Sequence, residues 1–108
     1  MVDFSIIIPV YCNSETLDEL MLQIDKRIIK KNRNLTGQVV FCDDGSIDNS
    51  YDKLLEIKQK FPNTKIIRLT RNFGQIPAIL CGLENIESKT YIVLSADAWS
   101  YKTDTGEE

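Results

Sequence analysis

Two adjacent carboxylates, Asp43 and Asp44, follow a short apolar run at residues 39–42 and precede a glycine. This pattern is typical of a buried strand that ends abruptly and turns into a helix. Open α/β sheets bind ligands at the carboxyl ends of their strands, so the acidic pair lies where a binding site would be expected. A solvated turn in which both aspartates act as caps remains the alternative at this point.

Polar residues also follow three other apolar runs of the chain. Tyr11 comes after the run that stops at Pro9, Arg71 follows the third run, and Asp97 follows the fourth. In a doubly wound sheet these strand ends converge on one crevice. These side chains together favour a nucleotide that carries phosphate as the ligand. The tyrosine ring could stack on a base, the acids could bind sugar or base hydroxyls and a cation, and the arginine could bind phosphate. Taken singly, Tyr11 could equally be a core residue and Arg71 a surface charge.

The apolar patterns predict the elements that would position these residues. Buried strands are expected at residues 4–9, 38–42, 65–69 and 91–95. The first helix is expected to run from a capping box at Thr16 to about Lys31. An N-cap at Asp48 starts the second helix, Pro62 stops it, and the third helix has Pro77 in its first turn. The residues of the third helix that are expected to face the sheet are Ile76, Ile79, Leu80 and Leu83. This alternation predicts an α/β fold, a doubly wound and mainly parallel sheet with helices on both faces.

Length and composition exclude several classes of function. The chain has 108 residues, a net charge of -3 without a basic block, and no histidine. One domain at most is therefore expected, and nucleic-acid binding by phosphate neutralisation is not. Histidine-based triads are excluded, and little remains for a zinc site. No apolar run is long enough for a membrane span, and the N-terminus lacks the pattern of a signal peptide.

The three cysteines, Cys12, Cys42 and Cys81, form no CxxC pair. We interpret them as reduced thiols that pack in the interior of a cytoplasmic protein. The common nucleotide signatures GxGxxG and GxxxxGK[ST] are absent, which disfavours a dinucleotide oxidoreductase or a P-loop enzyme. A phosphoacceptor receiver domain would carry its acidic pair after the first strand rather than the second.

Five segments together resemble the N-terminal half of family-2 glycosyltransferases of the GT-A fold, most closely those that make polyprenol- or dolichol-phosphate sugars. The segments are residues 5–11, 39–48, 71–75, 78–83 and 95–97. The resemblance implies that residues 1–97 form a Rossmann-like, nucleotide-sugar-binding half. Residues 98–108 are polar, lack a core pattern and are expected to be a disordered tail.

The resemblance also implies roles for individual residues. Pro9, Tyr11, Asp43 and Asp44 would hold the base and ribose of a nucleotide-diphosphate sugar, and Arg71 would lie near the nucleotide and its diphosphate. In such enzymes a sugar moves to a lipid phosphate or a glycan acceptor, in some of them at the cytoplasmic face of the membrane. No catalytic residue can be assigned, because the acceptor-binding half of the family has no counterpart in these motifs.

The metal motif of the family is only partly present. Its remaining acid is Asp97, which the resemblance implies would carry Mg²⁺ or Mn²⁺ on a bound diphosphate. Ser95 stands at the first position of that motif, and Trp99 stands where a glutamine ligand is expected. We therefore expect a truncated, donor-binding piece that is inactive alone. The alternative is a non-catalytic α/β domain that forms homo-oligomers through an exposed sheet edge.

Overall fold

The sheet and its order follow from a computed structural model, which describes residues 1–96. Four strands, β1 (Val2–Val10), β2 (Gly37–Asp43), β3 (Thr64–Arg68) and β4 (Ser88–Val93), pair in parallel in the order β3-β2-β1-β4. The strand order reverses beside β1, since β2 and β3 lie on one side of it and β4 on the other. The predicted α/β fold with a parallel sheet is confirmed.

Three α-helices connect the strands. They are α1 (Ser14–Ile24), α2 (Ser50–Lys60) and α3 (Gln75–Asn85). A π-helical turn, Asp25–Ile29, and a 3₁₀ turn, Lys30–Asn32, extend α1 to the point where the sequence predicted its end. Helices α1 and α2 contact each other, whereas α3 contacts β1 and β2.

Alternating side chains of β1 and β2 form two separate cores. Ile6, Ile8 and Phe41 pack with the apolar face of α1 and with α2, and Ile7 and Val40 pack with α3 on the opposite face. Successive residues of a strand point to opposite faces, so strands covered on both sides are apolar throughout. The helices thus cover both faces of the sheet, as expected for a doubly wound fold.

The face that α3 turns to the sheet differs from the prediction. The sequence predicted Ile76 and Leu80 among the residues that face the sheet, yet these side chains are 65% and 51% exposed. The small residues Ala78 and Gly82 are buried instead. A Cβ added at Gly82 would lie 2.7 Å from Sγ of Cys42, so only a residue without a side chain lets α3 approach β2 this closely.

Two helix starts also differ from their predictions. The capping box at Thr16 is wrong, because α1 begins at Ser14 and the Thr16 hydroxyl donates to the backbone oxygen of Asn13 at 3.1 Å. The N-cap of α2 is Asn49 rather than Asp48, although Asp48 Oδ1 still accepts a hydrogen bond from the N–H of Ser50 at 2.9 Å.

Strand β4 begins at residue 88 rather than 91 and ends at Val93. The prediction that all three cysteines pack in the interior is wrong for Cys12, which is exposed, while Cys42 is buried. Asp97 and the tail at residues 98–108 lie outside the described residues.

Candidate functional site

A cavity of about 300 Å³ opens at the carboxyl edge of the sheet, next to the point where the strand order reverses. Ligands of open α/β sheets bind at such a crevice. The end of β1, the residue after β2, the loop before α3 and the residues after β4 all contribute to its wall. Its main lining residues are Pro9, Tyr11, Asp44, Asn72, Gly74 and Ser95.

Asp44 lies in the wall of this cavity and is only 2% exposed. Its Oδ1 accepts a hydrogen bond from the N–H of Phe73 at 2.8 Å. Its Oδ2 accepts two, from Asn72 Nδ2 at 2.9 Å and from the N–H of Gly74 at 3.0 Å. A carboxylate oxygen offers two lone pairs, so among these bonds Oδ2 is filled and Oδ1 keeps one position for a ligand donor.

Asp43 is fully buried and does not line the cavity. Its Oδ1 accepts a hydrogen bond from the N–H of Ser46 at 3.1 Å. Within residues 1–96 its Oδ2 has no hydrogen-bond partner, and the nearest cation is Arg68, whose Nε is 3.8 Å away. The structure therefore separates the two acids of the predicted pair, and the ligand role of Asp43 stays a prediction.

Arg68 is the residue at this edge that the sequence analysis missed. It ends β3, contacts the buried carboxylate of Asp43, and its guanidinium lies 3.9 Å from the centroid of the Tyr51 ring. One feature of the sequence could have revealed Arg68. It is a basic residue at the end of a strand, opposite an acid at the end of the neighbouring strand. Asp43 and Arg68 are register partners in the β2–β3 ladder.

Tyr11 lines the cavity with 43% of its surface exposed, and Pro9, the second-last residue of β1, also lines it. Electrostatic repulsion from the neighbouring Cys12 raises the pKa of the Tyr11 hydroxyl, and burial adds to this effect. The phenol therefore stays neutral at physiological pH. An exposed, neutral aromatic ring in a cavity wall can stack on a planar ligand group.

Arg71 is exposed and does not line the cavity. Its guanidinium lies 4.7 Å from the centroid of the Phe73 ring. The backbone of Arg71 packs against Gly45, where an added Cβ would come within 2.3 Å of the Arg71 carbonyl carbon. The arginine is thus held next to the acidic turn, two and three residues before the two N–H groups that bind Asp44.

The described residues do not form a metal centre by themselves. Residues 1–96 contain no group of three histidine, cysteine, aspartate or glutamate side chains that could hold an ion. Ser95 lines the cavity, and Asp97 follows two positions later in the sequence. Among the described bonds one acceptor position of Asp44 remains, which is too few for a hard cation without further oxygen ligands. No helix within the described range is long and apolar enough to span a membrane.

The sheet order and the crevice beside β1 are those of the GT-A class of α/β domains, and solved structures of this class superpose well. The N-terminal 349 residues of TarS from S. aureus, in complex with UDP-GlcNAc, have a TM-score of 0.74 at 25% identity, covering 88% of this chain and 26% of theirs. A mannosyltransferase from Pyrobaculum calidifontis, in complex with GDP-Man and Mn²⁺, has a TM-score of 0.76 at 17% identity, over 90% of this chain and 30% of its own. At 17% identity, the similarity to the mannosyltransferase shows only that the two proteins share a fold.

The chain belongs to glycosyl transferase family 2, whose family model matches residues 5–105. A dolichol-phosphate mannosyltransferase from Pyrococcus furiosus is 33% identical over 93 residues, which cover 86% of this chain and 25% of the relative. An undecaprenyl-phosphate 4-deoxy-4-formamido-L-arabinose transferase from Edwardsiella ictaluri is 37% identical over 97 residues, which cover 86% of this chain and 28% of the relative. The chain therefore spans about a quarter of the length of these relatives.

Proposed function

We propose that this chain is the nucleotide-diphosphate-sugar-binding part of a metal-dependent glycosyltransferase that transfers a sugar to a lipid phosphate or a glycan acceptor. The cavity at the carboxyl edge between β1 and β4 carries this proposal, because Pro9, Tyr11 and Asp44 meet there. Relatives named as dolichol-phosphate and undecaprenyl-phosphate transferases support the choice of acceptor. Since the chain spans about a quarter of their length, the proposal assigns it the donor site.

The cavity residues suit different parts of a nucleotide. The neutral ring of Tyr11 offers a stacking surface for the base. The remaining acceptor position on Oδ1 of Asp44 suits an N–H of the base or a ribose hydroxyl. Arg71 is exposed beside this turn, where its guanidinium could reach the diphosphate if it swung away from the Phe73 ring. Among the described residues none has a geometry that assigns it as a catalytic base.

A divalent cation, Mg²⁺ or Mn²⁺, would be held by Asp97, with Ser95 as a neutral neighbour and the diphosphate as the main source of oxygens. When bound, such an ion offsets the negative charge of the leaving diphosphate. We expect Mn²⁺ to strengthen nucleotide binding and to bind weakly without nucleotide. Isothermal titration of Mn²⁺ into the chain with and without UDP measures both, and tight binding to the nucleotide-free chain would contradict the assignment.

The proposed donor site is tested by titrating UDP and GDP, each with Mn²⁺, into wild type and Tyr11→Ala. The backbone N–H of Tyr11 donates to Asn13 Oδ1, so removing the ring leaves that bond in place, while the hydrogen bond between the Tyr11 hydroxyl and the Cys12 side chain is lost. A base–aromatic stack is worth about 1–3 kcal/mol, so we expect the variant to bind about tenfold more weakly.

Tyr91 offers a matched control, since it is also partly exposed and lies on β4, outside the cavity wall. Its hydroxyl donates to the backbone oxygen of Ile86, so Tyr91→Ala also reports general destabilisation. We expect Tyr91→Ala to bind like wild type. Equal affinities of Tyr11→Ala and wild type, or a wild type that binds neither nucleotide, would refute the donor site.

We place the protein in the cytoplasm, where an exposed thiol such as Cys12 stays reduced.

A second candidate is a non-catalytic domain that self-associates through β4. Within the described residues β4 pairs only with β1, and Val93 on it is exposed. Unpaired edges of this kind recruit other strands. Sedimentation equilibrium of wild type and Val93→Lys tests this candidate. It requires a dimer that the lysine disperses, and a monomeric wild type at high concentration would exclude it.

A further inference from the structure

Three consecutive backbone N–H groups beside the cavity are bound to side-chain oxygens. We name residues 11–13, between β1 and α1, the Tyr11 loop. Its Tyr11 N–H donates to Asn13 Oδ1 at 2.8 Å. Its Cys12 N–H donates to Ser46 Oγ at 2.9 Å, and its Asn13 N–H donates to Ser50 Oγ at 2.9 Å. Successive N–H groups of this kind can otherwise form an anion site, but here each has a partner.

Two of these partners, Ser46 and Ser50, lie in the segment between the end of β2 and the first residue of α2, more than thirty residues away in the chain. The same segment holds both serines in place, because Asp43 Oδ1 accepts from the N–H of Ser46 and Asp48 Oδ1 accepts from the N–H of Ser50. Ser50 is fully buried and Ser46 nearly so. The buried end of β2 is therefore tied through two hydroxyl groups to the loop that presents Tyr11.

The conformation of the loop needs such support. Cys12 has a φ of 54°, in the left-handed region that non-glycine residues rarely adopt. A residue held there costs about 1–3 kcal/mol and persists only when its surroundings fix it. The bond from the Cys12 N–H to Ser46 acts directly on this residue.

We propose that Ser46 and Ser50 are positioning residues for nucleotide binding, which hold the Tyr11 loop so that the Tyr11 ring stands in the cavity wall. The inference rests on the proposed donor site. It gives a role to the serine of the acidic turn, which the sequence analysis left without one. Neither serine lines the cavity, so both would act through the loop rather than on the ligand.

Amide hydrogen exchange, followed by NMR, and UDP titration in the presence of Mn²⁺ test this inference on Ser46→Ala. The variant should speed exchange of the Cys12 N–H by roughly tenfold, because that group loses its partner. It should weaken UDP binding by about fivefold, the change that one ordinary hydrogen bond is worth. Ser46→Thr keeps a hydroxyl group and should restore both properties.

Ser5→Ala is the matched control. Ser5 is fully buried, and its hydroxyl oxygen accepts from Gln38 Nε2 at 2.8 Å in the β1–β2 pair. This control should lower the melting temperature without changing Cys12 exchange or UDP affinity. If Ser46→Ala does not fold, Ser50→Ala serves instead, with the Asn13 N–H as the exchanging group.

The inference is overturned if Cys12 exchange in Ser46→Ala matches wild type. It is also overturned if exchange rises while UDP affinity is unchanged, or if Ser5→Ala weakens binding as much as Ser46→Ala does. A wild type that binds no nucleotide would refute the donor site and with it the role in binding. The exchange comparison would then still decide whether Ser46 holds the loop.

Discussion

Replacing Asp44 with alanine should remove both a ligand contact and the anchor of the loop before α3. Three donors converge on this carboxylate, namely the N–H groups of Phe73 and Gly74 and the side-chain amide of Asn72. A binding defect in Asp44→Ala would therefore not identify a ligand contact unless the stability of the variant is measured as well.

The size of the structural effect can be worked from these bonds. A hydrogen bond contributes about 0.5–1.5 kcal/mol net, and about 1.5–3 kcal/mol when one partner is charged. The donors are only partly buried, so water can replace some of the lost bonds, and we expect a loss of about 3–4 kcal/mol for Asp44→Ala. A domain of this length has roughly 5–15 kcal/mol of stability, so the variant should still fold at low temperature.

Asp44→Asn partly separates the loss of the ligand contact from the loss of the loop anchor. The asparagine keeps one oxygen for two of the three donors, while its amide group meets the third donor and cannot accept from it. We expect a loss of about 1.5–2.5 kcal/mol, between wild type and the alanine variant. Urea unfolding gives the free energies, and UDP titration well below the unfolding midpoint gives the affinities. An unfolding free energy of Asp44→Ala within about 0.5 kcal/mol of wild type would refute this account of the loop, because surface substitutions fall in that range.

Two further predictions follow from single contacts. Gly45→Ala should destabilise the fold by about 2–4 kcal/mol in urea unfolding, because Gly45 has a φ of 70° and its Cβ would collide with the Arg71 backbone. An unfolding free energy of Gly45→Ala within about 0.5 kcal/mol of wild type would count against the clash. Burial raises the pKa of the Cys42 thiol from 9.0 to about 12. The unfolded chain therefore releases this proton first, so stability should fall between pH 9 and 12 more steeply in wild type than in Cys42→Ala, and parallel pH profiles would contradict this.

The strands and the class of fold could be predicted because they depend on local pattern. The run around Ile7 and Val40 is apolar on both faces, which marks a strand covered by helices on either side. The face of α3 could not be predicted in this way. Its sheet-facing residues are Ala78 and Gly82, and their small size lets the helix come close, whereas hydrophobicity alone favoured Ile76 and Leu80.

The two acids show where sequence reasoning about the site stops. Asp43 is the last residue of β2 and lies two positions after Phe41, so alternation turns both side chains to the face covered by α1 and α2. Asp44 lies beyond the strand, and the N–H groups around Gly74 turn its carboxylate into the cavity wall. Both residues have the same chemistry and are adjacent in sequence. Which one faces a ligand depends on the last residue of β2 and on a loop almost thirty residues later, so only the packed sheet distinguishes them.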